Sequence, residues 1–260
     1  MTQEDIDEVI QQFAQGAKFA YETGFKGVEL HAAHGFLLSQ FLSPKANLRT
    51  DAYGGTPAKR ARIVIEVIRA VRKAVPASFC VGLKLNSADV GGSESLEDSL
   101  EQVGLIAQEQ IDFLEISGGT MENMRMASGD GEKSARTVAR EAFFLDYARA
   151  VRARYPNVIL MVTGGFRSRE GMAAALESNA CDIIGVGRPS CIDPHWPKNV
   201  ILNKDVKDKD ARMETPLVKP NWLVSMIPVK LVGVGVDTMF YGGQIIRLAT
   251  GQKTFPPPKA

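Results

Sequence analysis

The first twenty or so residues place apolar side chains at Ile6, Ile10, Phe13, Ala17 and Ala20, spaced for one face of a helix, with Thr2 and Asp5 set as a capping box ahead of them. Gly24 stops that period, and GVELH (27–31) follows as a short strand-like run. The alternation then recurs. Thr56-Pro57 opens a helix through IVIEVIRAVRKAV before FCVGLKL (79–85). Ser93 or Ser95 opens one that ends near Gln110, before IDFLEIS (111–117). A helix over about 140–154 precedes VILMVT (158–163), and a short one over about 168–178 precedes DIIGVG (182–187).

Five strands separated by amphipathic helices predict right-handed βαβ units and a parallel sheet covered on both faces. A (β/α) barrel and a doubly wound sheet both satisfy this pattern. The long polar loops 32–55, 86–94 and 118–137 all follow strands, which in a barrel puts them on the C-terminal face. No GxGxxG follows the first strand, so a dinucleotide-binding doubly wound domain has little support. Beyond residue 200 the pattern lapses. KDVKDKDAR (204–212) reads as a charged linker, and the tail from Thr215 as at most one strand or two short helices. The expected division is therefore a partial barrel over 1–200 and a linker with a C-terminal extension, packing on the barrel, over 201–260.

The 260 residues carry 31 Lys plus Arg against 30 Asp plus Glu, which gives no basic field for nucleic acid. A hydrophobic fraction of 45% fits a globular chain. Cys80, Cys181 and Cys191 lack CxxC spacing and read as buried thiols of a reducing, cytoplasmic compartment. The acidic, amphipathic start is unlike a signal peptide, and the stretch from Trp222 to Val236, broken by Pro228 and Lys230, is too short to span a bilayer.

Three clusters and one isolated residue are candidates for chemistry. His31 and His34 lie three residues apart where the first strand ends. They read either as paired imidazole donors for a ligand oxygen or as one loop-capping and one surface histidine, and zinc-ligand spacing is missing. TGGFRSREG (163–171) and GVGRPS (185–190) each follow a strand. Their glycines bring backbone N–H groups near a phosphate, and Arg188 adds a bidentate charge, although tight turns need glycine too. Lys84 sits in the apolar strand LKLN, either pointing into a polar site or snorkelling at the strand end. His195, in DPHWP, reads as a loop residue.

The segments GVELHAAHGFLLSQFLSP, NLRTDAYGG with RAR, VGLKLNSAD, FLEISGG, AREAFFLDYA, TGGFRSREGM and DIIGVGRP together resemble, in order, the Old Yellow Enzyme family of flavin-dependent NAD(P)H oxidoreductases. The likeness covers about residues 2–195 and is nearest to the bacterial and fungal NADH:flavin oxidoreductase or NADH oxidase branch. It implies a TIM-type (β/α) barrel, an FMN cofactor, NAD(P)H as reductant, and hydride delivery to an activated alkene or quinone-like small molecule. It also implies that His31 and His34 hydrogen-bond the substrate carbonyl, that Lys84 stands where most members place an arginine beside the flavin, and that Gly164, Gly165, Gly187 and Arg188 hold the FMN phosphate. Phe36 occupies the position of the usual proton-donating tyrosine, which makes net reduction slow and favours hydride return or isomerisation. The likeness starts at the helix before the family's fourth strand, so the expectation is an N-terminally truncated barrel of about five of eight βα units. Its open edges would be covered by a homo-oligomer or a complementing chain. The alternative expectation is a non-reducing member: an isomerase, a ligand-binding protein or an auxiliary protein with impaired flavin binding.

Overall fold

In the computed structural model, residues 1–87, 95–117, 133–215, 218 and 236–257 are described, with the backbone alone over 133–143 and at 237. Helix α1 (Gln3–Glu22) starts at the expected capping box, in which the Thr2 hydroxyl accepts from the Asp5 N–H at 3.2 Å and the Asp5 carboxylate accepts from the Thr2 N–H at 2.6 Å. Gly24, at φ +94°, turns the chain into β1 (Gly27–Ala32). Then come α2 (Leu37–Leu42), α3 (Pro57–Ala74), β2 (Cys80–Asn86), α4 (Leu96–Ala107), β3 (Phe113–Ser117) and α5 (Lys133–Arg154). The last elements are β4 (Leu160–Thr163), α6 (Arg169–Glu177), β5 (Ile183–Gly185), α7 (Arg188–Ile192) and α8 (Val236–Ala249). Thr56 caps α3 and Ser95, rather than Ser93, caps α4, each accepting a backbone N–H from the first turn. Helix α2 lies inside a stretch expected to be loop, because six residues are too few to display a period. Its buried Leu38, Phe41 and Leu42 hold it by packing. The tail expected from Thr215 contributes α8, while 219–235 and most of the loops 86–94 and 118–137 lie outside the described residues.

The chain forms two compact units. The first comprises Met1–Asn123, Phe143–Val162 and Asn179–Ile183, and the second Met124–Ala142, Thr163–Ser178 and Ile184–Ala260. The sheet order is β1-β2-β3-β4-β5, with β5 entering the first unit through Ile183. A strand order that never reverses is that of a (β/α) barrel, since a doubly wound sheet turns back on itself at a switch point. The registers pair β1 with β2, β2 with β3 and β3 with β4, all parallel.

The strands of the first unit alternate. Leu30, Ala32, Val81, Leu83, Leu85, Leu114, Ile116, Leu160 and Val162 are buried. The intervening positions are Glu29, His31, Lys84, Asn86, Glu115, Ser117 and Met161, and most of these are only partly covered. One face carries the apolar core and the other a band of polar groups, because β1, β2 and β3 each place a polar residue at every second position near the C-terminal end. Gly82 allows a close approach on this second face: a Cβ there would sit 2.1 Å from the Phe113 ring.

The N-terminal ends of two strands are tied by the same device. Asp112 Oδ2 accepts from the Val81 N–H at 2.6 Å and from Arg72 at 2.8 Å. Asp182 Oδ2 accepts from the Leu160 N–H at 2.8 Å and from Arg152 at 2.5 Å. In each case an arginine late in the helix before one strand and an aspartate just ahead of the following strand tie those two neighbouring strands at the end away from the polar band.

In the second unit, the segment expected to be a linker is docked. Arg169 donates to the carbonyls of Val200, Ile201, Asn203 and Val206 at 2.6–2.7 Å and to Asp208 at 2.7 Å. That satisfies all five guanidinium donors. The Arg169 N–H donates to the Ala211 carbonyl and the Met213 N–H to the Arg167 carbonyl, both at 2.9 Å. Charge made 204–212 look solvated, but an internal guanidinium outweighs it by collecting backbone carbonyls that would otherwise lack donors. Among the described residues no helix is long and apolar enough to cross a membrane, and no group of three His, Cys, Asp or Glu could hold a metal ion.

Candidate functional site

Three neighbouring strands bring His31, Lys84 and Glu115 into one row, because His31 is in register with Lys84 and Lys84 with Glu115. Cross-strand partners share a face, so all three point to the polar side. Lys84 Nζ lies 2.5 Å from Glu115 Oε1, with the carboxylate side chain 3% exposed and the lysine 18%. Of the two sequence-level alternatives for Lys84, the structure takes the polar cluster. Glu29, two residues before His31, hydrogen-bonds Glu115 and completes the group.

Past Ala32 the chain turns sharply through His34 at φ +62° and Gly35 at φ +80°. A left-handed conformation costs a non-glycine residue about 1–2 kcal/mol, so it persists only where other contacts hold it. Two do so here. The His34 N–H donates to Asn86 Oδ1 at 3.1 Å, and His34 Nε2 lies 2.9 Å from Ser117 Oγ. The turn sets the His34 ring edge-on to that of His31, with centroids 5.0 Å apart, and brings Phe36 to 5.0 Å from His31. Phe36 is half-exposed and caps α2, without a polar atom on its ring.

Burial first, then the Lys84 cation, pushes the His31 imidazole below its ordinary value. Burial, Lys84 and His31 together push His34 down to about 4, against the opposing pull of Glu115. Both imidazoles are therefore neutral at pH 7 and carry one N–H each. Burial, the hydrogen bond to Glu115 and the Glu115 charge raise the Glu29 carboxyl to about 8, with Lys84 opposing. His31 Nδ1 and Ser87 Oγ are buried without a hydrogen-bond partner. Buried polar atoms of this kind are few in folded proteins and mark places where a ligand or water belongs.

The Glu29 carboxyl gives a test that needs no ligand. Between its ordinary value of 4.5 and about 8 the folded chain keeps a proton that the unfolded chain has released. Its contribution to stability is thus present at low pH and lost as pH rises through that window. We expect Glu29→Gln to flatten the decline in urea midpoint between about pH 6.5 and pH 8, a range above the His34 transition, where the histidine term runs the other way. An unchanged pH slope in the variant would contradict the assignment.

His31, His34, Phe36 and Lys84 thus lie together in the first unit. Gly164, Gly165, Gly187 and Arg188 belong to the second. Gly164 (φ +152°) and Gly165 (φ +85°) follow β4 in conformations that favour glycine, and Gly187 caps α7 ahead of Arg188 with open space where a Cβ would project. His195 is an exposed loop residue whose N–H donates to Asp193. The sequence reading overlooked Glu29, Asn86, Glu115 and Ser117. Glu115 carried the same signal as Lys84, a charged residue inside an apolar strand.

The family model for NADH:flavin oxidoreductase / NADH oxidase matches residues 1–206. The NADH-dependent flavin oxidoreductase iliE of Neonectria sp. (strain DH2) is 46% identical over 254 residues, covering 93% of this chain and 33% of the relative. The NADH-dependent flavin oxidoreductase iccE of Talaromyces variabilis is 45% identical over 254 residues, covering 96% of this chain and 61% of the relative. A structure of 2-naphthoyl-CoA reductase with 2-naphthoyl-CoA superposes with a TM-score of 0.68 at 28% identity, over 77% of this chain and 30% of that one. The Old Yellow Enzyme homologue from Zymomonas mobilis, at 21% identity and a TM-score of 0.62 over 83% of this chain and 58% of that one, shares the fold. The chain spans between a third and about three fifths of the length of the curated relatives of this kind that it matches. An unreversed parallel sheet, a polar band at its strand ends and a family match that runs through every strand lead to one assignment: the chain belongs to the NADH:flavin oxidoreductase / NADH oxidase family.

Proposed function

We propose that this chain serves an FMN-dependent oxidoreductase that takes electrons from NAD(P)H and acts on a small molecule with an activated alkene or quinone-like carbonyl. The observation that carries the proposal is the neutral His31–His34 pair, in which His31 Nδ1 is buried without a partner. The names of the relatives, NADH-dependent flavin oxidoreductases and NADPH dehydrogenases, support the class of reaction.

The residues present suit FMN. Lys84, paired with Glu115, offers a partly exposed cation on the polar face, Gly164 and Gly165 take positive-φ turns after β4, and Gly187 has open space where a Cβ would project, with Arg188 following. In the proposed reading Gly164, Gly165, Gly187 and Arg188 are the second unit's residues for the phosphate, and Lys84 is the first unit's cation for the flavin ring. Bound FMN would supply a two-electron carrier able to pass hydride between nicotinamide and substrate. The chain's own part is electrostatic. Two neutral N–H donors aimed at one carbonyl oxygen draw density from the β-carbon and stabilise the oxygen as it gains charge. Neither imidazole needs to give up a proton to do this. Phe36 cannot supply a proton to the α-carbon.

That last observation favours one second reading, a non-reducing family member with impaired or absent flavin binding that isomerises or holds the small molecule. Saturating the purified chain with FMN, desalting it and recording its visible spectrum and mass on one column tests the first reading. A retained flavin band that bleaches with NADH or NADPH is expected, together with faster formation of saturated product from an enone in Phe36→Tyr. A folded but colourless protein would overturn the FMN assignment and leave the second reading. The mass reports whether a second copy is needed, which is part of the proposal because β1 lies at the edge of the sheet.

A further inference from the structure

Ser117 ends β3 with only 4% of its surface exposed, and its side chain faces His34. Its carbonyl is committed to the Ser87 N–H at 2.8 Å, which pins the ends of β2 and β3 together. Among the described residues its hydroxyl has one partner, His34 Nε2 at 2.9 Å. A hydroxyl facing a ring nitrogen can donate or accept, and a neutral imidazole offers one nitrogen of each kind. Were Nε2 the protonated nitrogen, the Ser117 hydrogen would be buried with no acceptor among the described residues. If instead Ser117 donates to an Nε2 lone pair, both groups are satisfied, and the single ring proton stands on Nδ1. The His34 backbone is held independently by Asn86, which keeps the residue within reach of Ser117. Burial and Lys84 keep the ring neutral at pH 7, so the choice between tautomers is a real one there.

We infer that Ser117 is a positioning residue that locks His34 in the Nδ1–H tautomer, so that His34 presents a donor, and not a lone pair, to the ligand. The ligand atom this selects is an oxygen without its own proton, a carbonyl or a phenolate. A hydroxyl donor would meet no acceptor on His34. The tautomer assignment stands on the buried Ser117 contact to a neutral ring. The ligand class rests on the function proposed above.

The test is a long-range proton–nitrogen NMR spectrum of the full chain labelled with nitrogen-15 at its three histidines, recorded at neutral pH. His34 is assigned by the signal missing in His34→Gln. We expect a protonated Nδ1 and a bare, hydrogen-bonded Nε2 in the wild type. Ser117→Ala should move His34 toward a mixture of tautomers, and Ser117→Thr, which keeps the hydroxyl, should restore the single form. Affinity for cyclohex-2-enone, followed by ligand-observed NMR, should fall about tenfold in Ser117→Ala, as for loss of one oriented donor. A protonated Nε2 in the wild type overturns the inference even if no variant folds, and so does an unchanged tautomer in Ser117→Ala. An Nδ1–H tautomer in a chain that retains no FMN would sink the flavin reading and leave this one standing.

Discussion

Arg60→Ala is expected to lower the stability of the chain by about 3 kcal/mol, because it strips donors from two backbone carbonyls and one carboxylate at once. Arg60 is 3% exposed on α3. Its guanidinium donates to the Leu42 carbonyl at 2.7 Å, the Gly55 carbonyl at 2.5 Å and Asp98 Oδ2 at 3.2 Å. It therefore joins the end of α2, the end of the 43–55 loop and α4. Gln102 also donates to the Leu42 carbonyl, at 3.1 Å, so that oxygen keeps one donor in the variant while Gly55 loses this one. Inside the loop, Asn47 spans the Phe41 and Tyr53 carbonyls at 2.7 Å each, and this second brace should keep the loop from unfolding entirely. Lysine should recover little, since one ammonium cannot reach three directions in the fork geometry of arginine. The check is the denaturant midpoint at constant slope; a loss below about 1 kcal/mol would mean that water replaces the guanidinium. Because α2 follows directly on the turn that carries His34 and Phe36, proteolysis within 43–55 should accelerate in the same variant.

The largest effect on chemistry is expected from the histidine pair. If the proposed function holds, His31→Ala and His34→Ala should each slow enone reduction by about 10²–10³, the range for removal of one donor from a developing oxyanion. The double variant should lose less than the product of the two, since both donors serve a single oxygen. FMN content should stay unchanged, because neither ring belongs to the residues assigned to the phosphate or to the flavin's cationic partner. Rapid-mixing measurement of flavin reoxidation by enone separates the two steps: reduction by NAD(P)H should keep its rate while reoxidation slows. An equal fall in both would show that the imidazoles act on the cofactor and not on the substrate.

Much of this molecule was legible in one dimension. The helix starts at Thr2, Thr56, Ser95 and Ser168 were readable because a cap depends on residues within one turn. The five strands were readable because each is an apolar run bounded by breakers, and Lys84 stood out because a charge in such a run needs a partner. What stayed hidden depends on register and on long-range contact. Nothing local says that Lys84 lies opposite Glu115 and beside His31, since a shift of one residue in the pairing would have sent the lysine to the other face. Likewise, the docking of 204–212 rests on Arg169, some forty residues earlier, whose five donors find four carbonyls and the Asp208 carboxylate that only the folded chain assembles. The sequence by itself thus determined the order of elements and the choice of a parallel α/β fold, because propensity, capping and hydrophobic period act over a few residues. The tertiary structure alone decided that two histidines, a lysine, two carboxyls and a serine share one face. Their placement, and with it the neutral state of the imidazoles, arises from strand pairing and burial, which act between residues far apart in the chain.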